Sequence, residues 1–180
     1  MKFEGSKTQQ NLQAAFAGES QARNKYTYFS SQAKEDGYVQ ISQIFEETAN
    51  NEREHAKIWF KLLQKDRKIA DTLTNLETAA NGEHYEWTEM YPTFAKEARE
   101  EGFNDIAFLF DSVAKIEKEH NARYSKLKQN IEDGTVFEKR EKTVWICLNC
   151  GHVFEDIKAL EKCPVCNHPK AYFAMRVINY

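Results

Sequence analysis

Glycine, proline and long apolar runs are scarce in this sequence. Its 180 residues include only 7 glycines and 3 prolines, so residues that favour helices dominate. No apolar run approaches the roughly 20 residues that a membrane helix needs. The polar N-terminus MKFEGSKTQQ also has no apolar segment typical of a secretory signal. We therefore expect a soluble, cytoplasmic protein that does not enter a membrane.

The sequence also has no excess of positively charged residues. The formal net charge is −3 and the pI is about 6.0, which gives no electrostatic reason to expect nucleic-acid binding. Cysteine is confined to two Cys-x-x-Cys pairs near the C-terminus. Because no export signal accompanies them, these pairs indicate metal ligation and not disulfide bonds.

A repeat with an offset of 65 residues organises most of the chain. Two Glu-x-x-His sequences, Glu52 to His55 and Glu117 to His120, are separated by this offset. Their surroundings match as well, in the pairs Tyr26 and Tyr91, Phe29 and Phe94, Ala33 and Ala98, Gly37 and Gly102, and Phe45 and Phe110. A duplicated helical hairpin explains the repeat and predicts an all-α four-helix bundle.

Local signals predict where the helices and domains begin and end. The first helix is expected from about Ser6 to Lys34, with Gly37 just past its end. Pro92 falls inside the third helix, where it is expected to kink the helix or remove one hydrogen bond. We place the bundle in residues 1–134, a charged linker in 135–143 and a small domain that needs a metal staple in 144–180.

Seven polar side chains fall where the interior of a bundle needs apolar ones. Both Glu-x-x-His pairs lie on the apolar seams of their helices, which step alternately by 4 and 3 residues. The seven residues are Glu19, Glu52, His55, Glu83, Glu86, Glu117 and His120. Burying isolated carboxylates is very costly, and two divalent cations nearly neutralise five of them. The pattern therefore predicts a site for two iron or manganese ions.

The repeat is broken at one position when it is read at the single offset of 65. Glu19 aligns with His84, which is flanked by Glu83 and Glu86. The first half therefore supplies one carboxylate where the second half supplies two, and the two metal positions are not equivalent. We hypothesise that the extra carboxylate competes with His55 for one ion as its oxidation state changes.

Tyr26 and Tyr91 lie on the same faces as the predicted ligands. Their hydroxyls are predicted to bond the ligand carboxylates, although bonding to the backbone is equally compatible with the sequence. His84, Glu54 and Glu119 point away from the seams and are interpreted as surface residues.

The C-terminal cysteines form two knuckles separated by 12 residues. Two such knuckles build a tetrahedral site with four thiolates, whose members are Cys147, Cys150, Cys163 and Cys166. Zinc would make this site a structural clip, whereas a single iron would make it a one-electron carrier. Four aromatic residues are expected to form its small core, namely Trp145, Phe154, Tyr172 and Phe173. His152 and His168 are expected at the surface.

Taken together, these motifs resemble those of the rubrerythrins over essentially the full chain. The resemblance lies in Gly18-Glu19-Ser20-Gln21-Ala22, both Glu-x-x-His pairs, Gly82-Glu83-x-x-Glu86 and both Cys-x-x-Cys pairs. It implies a ferritin-like four-helix bundle followed by a small C-terminal β-rich, rubredoxin-like metal domain. It also implies two non-haem iron ions in the bundle and one iron in the Fe(Cys)4 site, which zinc can replace in recombinant protein.

The resemblance further implies individual roles for the seven bundle residues. Glu52 and Glu117 are the implied bridging carboxylates, and His55 and Glu86 are implied to exchange at one iron. The implied terminal ligands are Glu19, Glu83, Glu86, His55 and His120.

The activity that the resemblance implies is that of a cytoplasmic oxidoreductase in oxidative-stress defence. It is an NAD(P)H-linked peroxidase that reduces hydrogen peroxide to water. Its electrons are implied to come from rubredoxin or an NAD(P)H-dependent reductase and to pass through the Fe(Cys)4 site. The resemblance also implies a homodimer or a higher homo-oligomer.

Two other functions remain open at this point. A ferroxidase or iron store could use the same bundle, although neither obviously needs an electron carrier. A helical scaffold with a zinc ribbon is the non-enzymatic alternative, but buried carboxylates are hard to reconcile with it.

Overall fold

The computed structural model describes residues 2–179. The chain divides into two compact units, residues 1–70 and 71–180. The first unit contains α1 (Lys7–Glu35) and α2 (Val39–Leu63), which pack together as the first hairpin. The second unit contains α3 (Thr72–Tyr85), a π-helical segment (Glu86–Met90), α4 (Tyr91–Glu100) and α5 (Asn104–Glu132), which form the second hairpin. Three strands follow in the C-terminal tail.

Caps at both ends of α1 confirm the predicted boundaries. Ser6 accepts a hydrogen bond from the Gln9 N–H at 3.1 Å, and Gln9 Oε1 accepts one from the Gly5 N–H at 2.8 Å. The first bond satisfies one of the backbone donors that the helix leaves free, and the second ties the residue before the cap to the first turn. At the other end, Gly37 has a φ of +87°, and the Tyr38 N–H donates to the Ala33 carbonyl at 2.8 Å. This is the geometry in which glycine ends a helix most readily.

Small side chains fill the contact between the helices of each hairpin. In the first hairpin, Ser30 and Ser42 are buried, and their hydroxyl oxygens lie 3.0 Å apart. Their repeat partners in the second hairpin, Ala95 and Ala107, are completely buried. The two hairpins therefore use the same close contact, made by a polar pair in one and an apolar pair in the other.

The π-helical segment explains how the two halves of the repeat correspond. Before it, the halves match at an offset of 64, in the pairs Asn11 and Asn75, Leu12 and Leu76, Ala15 and Ala79, Gly18 and Gly82, and Glu19 and Glu83. After it, the offset is 65. One residue has been inserted, and the Tyr91 N–H donates to the Glu86 carbonyl five residues earlier, which is how a π turn absorbs an extra residue. Pairing Glu19 with His84 at one offset was therefore wrong: Glu83 is the counterpart of Glu19.

Pro92 lies where the third predicted helix is irregular, in line with the expectation for a proline inside a helix. It lies in the first turn of α4, directly after the π-helical segment. Because proline has no backbone N–H, it removes one hydrogen bond from the helix at this position. The irregularity of the third predicted helix is thus a π turn next to the proline.

The tail forms a three-stranded antiparallel sheet in the order β2-β1-β3. Its strands are β1 (Glu138–Cys147), β2 (Val153–Lys158) and β3 (Phe173–Met175). The first part of β1 occupies the stretch interpreted as a linker. There, Glu138 pairs with Lys158, and the Ala159 N–H donates to the Phe137 carbonyl at 2.8 Å. Pairing with β2 therefore brings part of this charged stretch into the sheet. The domain boundaries proposed from the sequence stay predictions.

Trp145 is the centre of the tail's core. It is fully buried, and its indole N–H donates to the Asp156 carbonyl at 3.0 Å. Phe173 is also buried, and Phe154 packs against its ring edge-on with centroids 5.3 Å apart. Placing Tyr172 in this core was wrong: its side chain is 42% exposed and its ring contacts His168.

The predicted fold class is confirmed, with long helices first and a small antiparallel sheet at the C-terminus. Within residues 2–179, no helix combines the length and the apolarity needed to span a membrane.

Deleting Glu89 from the π-helical segment should leave the second hairpin at least as stable as before. The deletion shortens the second half of the repeat by one residue, so a regular α-helix can run through to α4 in the register of α1. Deleting the exposed Lys96 from α4 is the control, because it shifts the buried Ala98 out of contact and should cost about 2 kcal/mol or more. Thermal melting followed by circular dichroism tests both changes. Equal destabilisation would contradict the insertion account.

Candidate metal centres

The first triad consists of Glu19 on α1 and Glu52 and His55 on α2. Glu52 and His55 are three residues apart, so they share one face of the helix. His55 Nδ1 lies 2.8 Å from Glu52 Oε2 and 3.8 Å from Glu19 Oε1. Three possible ligand atoms thus converge from two helices.

The second triad repeats this geometry with Glu83 on α3 and Glu117 and His120 on α5. His120 Nδ1 lies 2.7 Å from Glu117 Oε2 and 3.7 Å from Glu83 Oε2. The insertion in the π-helical segment therefore leaves the second triad with the same geometry as the first.

Both triads fit a metal ion of ordinary size. Ligand atoms about 2.1 Å from a common ion, at angles of 90–110°, lie roughly 3.0–3.4 Å from one another. The histidine-to-carboxylate distances of 2.7–3.8 Å bracket this range. Mixed carboxylate and imidazole donors suit iron or manganese. Each hairpin by itself therefore brings together three of the predicted ligands.

The crowded carboxylates hold their protons more tightly than usual. A hydrogen bond with Glu52 is the main cause that raises the pKa of Glu19. Burial is the main cause for Glu83, whose pKa is raised further by Glu117. The charged forms are thus disfavoured until a cation compensates them.

The seventh predicted residue, Glu86, begins the π-helical segment and lies outside the second triad. Its charge nevertheless contributes to the raised pKa of Glu83. Burial first, and then the charges of Glu86, Glu117 and Glu83, raise the pKa of Tyr91. Its repeat partner Tyr26 packs with Phe29 and Phe45, with ring centroids 6.2 Å away in both cases.

Trp59 lies beside the first triad, which the sequence motifs did not indicate. A hydrogen bond from its side chain acts on Glu19 and opposes the rise in the pKa of that carboxyl. Trp59 lies four residues after His55, on the same face of α2. The signal was available, because a tryptophan in a seam usually needs a partner for its indole N–H.

The cysteine quartet (Cys147, Cys150, Cys163 and Cys166) converges as predicted. The Sγ atoms of Cys147 and Cys166 are 3.6 Å apart, and those of Cys150 and Cys163 are 3.7 Å apart. A tetrahedral ion with metal–sulfur bonds of 2.3 Å requires about 3.8 Å along each edge. The quartet therefore fits a single zinc or iron ion.

The four thiols do not ionise equally. The backbone N–H of His168 is the main cause that lowers the pKa of Cys166 to about 5. The backbone of His152 lowers the pKa of Cys150 as well, but burial and the three other sulfurs outweigh it and raise that pKa to about 12. One thiolate is thus ready for a metal, while another is ionised only when a metal displaces its proton. His152 and His168 are partly exposed and are not needed as ligands.

Comparison with known proteins agrees with these centres. Residues 10–128 match the Rubrerythrin family, and residues 145–174 match its rubredoxin-like domain. Rubrerythrin-1 of Clostridium acetobutylicum is 50% identical over 99% of this chain and 98% of its own length. Rubrerythrin of Nitratidesulfovibrio vulgaris is 51% identical over the same shares of the two chains. A structure of nigerythrin in its fully reduced, all-ferrous state is 33% identical and covers 97% of this chain and 89% of that one, but superposes with a TM-score of only 0.35.

The helical hairpins with their triads and the cysteine quartet define an iron-binding protein with a rubredoxin-like tail. The chain belongs to the rubrerythrin family. The expected iron sites are supported by both the family and the donor groups, and the family carries an iron-dependent role in oxidative stress.

Replacing Glu83 with Gln should raise the melting temperature of the metal-free protein at pH 7. Because folding raises the pKa of this carboxyl above its usual 4.5, the folded state loses stability as the pH rises through both values. The gain should disappear below about pH 4.5, where the carboxyl is protonated in both states. Exposed Glu119 changed to Gln is the matched control. A lower melting temperature for Glu83→Gln at pH 7 would contradict the burial account.

Replacing Cys150 with Ser should release the metal from the tail and unfold the tail alone. Cys147 and Cys163 are part of its buried core, so the ion and the core should be lost together. We expect a chelator to remove the metal at least about tenfold faster than from the unaltered protein. The NMR signal of the Trp145 indole should disappear, while the circular dichroism of the helices should stay unchanged. Neighbouring Asn149 changed to Ser should retain both metal and signal. An intact tail without metal would refute this dependence.

Proposed function

We propose that this protein is a non-haem di-iron peroxidase that reduces hydrogen peroxide to water in oxidative-stress defence. The observation that carries the proposal is the presence, in one chain, of two carboxylate–imidazole triads and a four-thiolate site. The first two supply a place for a pair of ions, and the third supplies a one-electron carrier. A purely structural metal protein has no need of both.

The proposed ligands are the seven residues expected from the sequence. We assign Glu52 and Glu117 as the carboxylates that the two ions would share, as membership of the rubrerythrin family implies, and each lies within hydrogen-bonding distance of the histidine of its own triad. The assigned terminal ligands are Glu19, Glu83, Glu86, His55 and His120. Glu86 has no counterpart in the first half of the repeat, which supports its proposed exchange with His55 at one ion.

The stoichiometry of the reaction favours peroxide. When bound, two ferrous ions supply the two electrons that one peroxide molecule needs to become two waters, whereas dioxygen needs four. The cysteine quartet is proposed to return electrons one at a time.

Two side chains beside the triads are proposed to donate hydrogen bonds to the ligand carboxylates. The raised pKa of Tyr91 keeps its hydroxyl protonated beside three carboxylates, so it can donate a hydrogen bond to one of them. Trp59 supplies a second donor, to Glu19. Each of these two groups donates a hydrogen bond, and neither carries a charge. They would therefore orient the carboxylates toward the ions without displacing the ions.

The proposed partners follow from the electron path. We infer that rubredoxin or an NAD(P)H-dependent reductase delivers electrons to the quartet, and that the protein acts in the cytoplasm as a homodimer or a higher homo-oligomer. Hydrophobic Leu148 and Val165 lie within the two knuckles and are 67% and 65% exposed. Apolar exposure beside a redox site supports transient contact with a donor protein.

Variants of iron-loaded protein should separate chemistry from electron delivery. With an NAD(P)H-dependent reductase present, Glu52→Gln and Glu117→Gln should each reduce steady-state peroxide turnover by about a hundredfold or more. Cys166→Ser should abolish this turnover but retain a single oxidation by peroxide of chemically reduced protein. Glu54→Gln and Glu119→Gln, which alter exposed carboxylates on the same helices, are the controls. Full turnover in Glu52→Gln and Glu117→Gln would refute the proposed function.

A further inference from the structure

A cavity of about 300 Å³ opens on the first hairpin next to the first triad but is not lined by it. Phe16 on α1 and Phe60 on α2 contribute its aromatic wall, with ring centroids 5.5 Å apart. Arg53 follows Glu52 directly in the sequence, so the cavity and the triad use neighbouring positions of the same helical turn. None of its residues has a role in the proposed peroxidase.

Three cations line this cavity: Arg23 from α1, and Arg53 and Lys57 from α2. Among the residues that the structure describes, the only carboxylate paired with them is that of Glu54, which lies 3.1 Å from Arg53 Nε and 3.3 Å from Lys57 Nζ. Within residues 2–179, the Arg23 guanidinium forms no ion pair. The side chains of the paired residues Arg53, Glu54 and Lys57 are about half exposed. Their ion pairs are therefore weak, and an incoming anion can compete with Glu54 for the cations.

We propose that the cavity binds a small anion with a flat aromatic body, of the class of nucleoside monophosphates. Arginine guanidinium groups hold phosphate through paired hydrogen bonds, and Phe16 and Phe60 offer faces on which a base can stack. Asn24 also lines the cavity, and its amide can both donate to and accept from the edge of a base.

The cavity is a groove that is largely open to solvent, and its volume is at the low end of the roughly 300–1,000 Å³ typical of small-molecule sites. A mononucleotide is the smallest ligand that carries both a base and a phosphate, so it is the member of this class that we propose. The proposal is independent of the peroxidase, because it uses none of the proposed metal ligands.

Calorimetric titration of the full-length, iron-loaded protein tests this site, with adenosine 5′-monophosphate, adenosine and inorganic phosphate as probes. We expect one molecule of the monophosphate to bind per chain, at least about tenfold more tightly than either fragment, because base and phosphate contribute separately. Arg23→Ala and Arg53→Ala should each weaken its binding by about tenfold or more. Arg23→Lys should recover only part of the loss, since lysine lacks the planar fork.

The controls are Lys25→Ala and Lys61→Ala, which remove exposed lysines of the same two helices that do not line the cavity. Equal weakening by these variants would overturn the proposal in favour of unspecific charge attraction. Monophosphate binding no tighter than inorganic phosphate, or no binding at all, would overturn it as well. If an arginine variant fails to fold, the comparison of the three probes on the unaltered protein decides the question.

Discussion

Uncompensated carboxylate charge is the constraint on which the helical part of this protein depends. Each hairpin brings two glutamates and one histidine within hydrogen-bonding or coordination distance of one another. Their mutual repulsion and burial raise the pKa of Glu19 and Glu83, so the arrangement is strained unless a cation is present. A bound ion would therefore stabilise the fold through the same interaction that would create the proposed reactive site. The cysteine quartet applies the same principle to the tail, where two of the ligands are also buried core residues.

Duplication explains why the two triads are alike, and one inserted residue explains why the halves differ. The π-helical segment absorbs the insertion, so Glu83 still matches Glu19 in geometry. Glu86, which begins that segment, has no acidic counterpart in the first hairpin, where Gln21 and Ala22 occupy the matching positions. Symmetric halves would provide two equivalent ions, whereas an extra carboxylate on one side allows the two ions to differ. The difference between Glu86 and its uncharged counterparts is thus the basis of the proposed ligand exchange.

Much of this could be predicted from the sequence because the signals are local. Caps such as Ser6 and Gly37, the seam positions of the Glu-x-x-His pairs and the cysteine spacing each depend on a few adjacent residues. The π-helical segment was missed because a single offset of 65 hides an insertion, although the matches at 64 reveal it. The identity of the partner of Trp59 and the pairing of Glu138 and Thr143 with β2 depend on contacts between segments that are not adjacent in the sequence. Local patterns do not contain that information.

Anaerobic stopped-flow absorbance of the iron-loaded, fully reduced protein is the most direct test of the central claim. The protein is mixed with one equivalent of hydrogen peroxide per pair of triads, and then with more. The account predicts rapid oxidation of the triad iron, followed by return of the visible band of the ferric four-thiolate site when further peroxide is added. Slow oxidation by peroxide, fast oxidation by dioxygen and an unchanged four-thiolate band would contradict it and would indicate a ferroxidase with a structural tail.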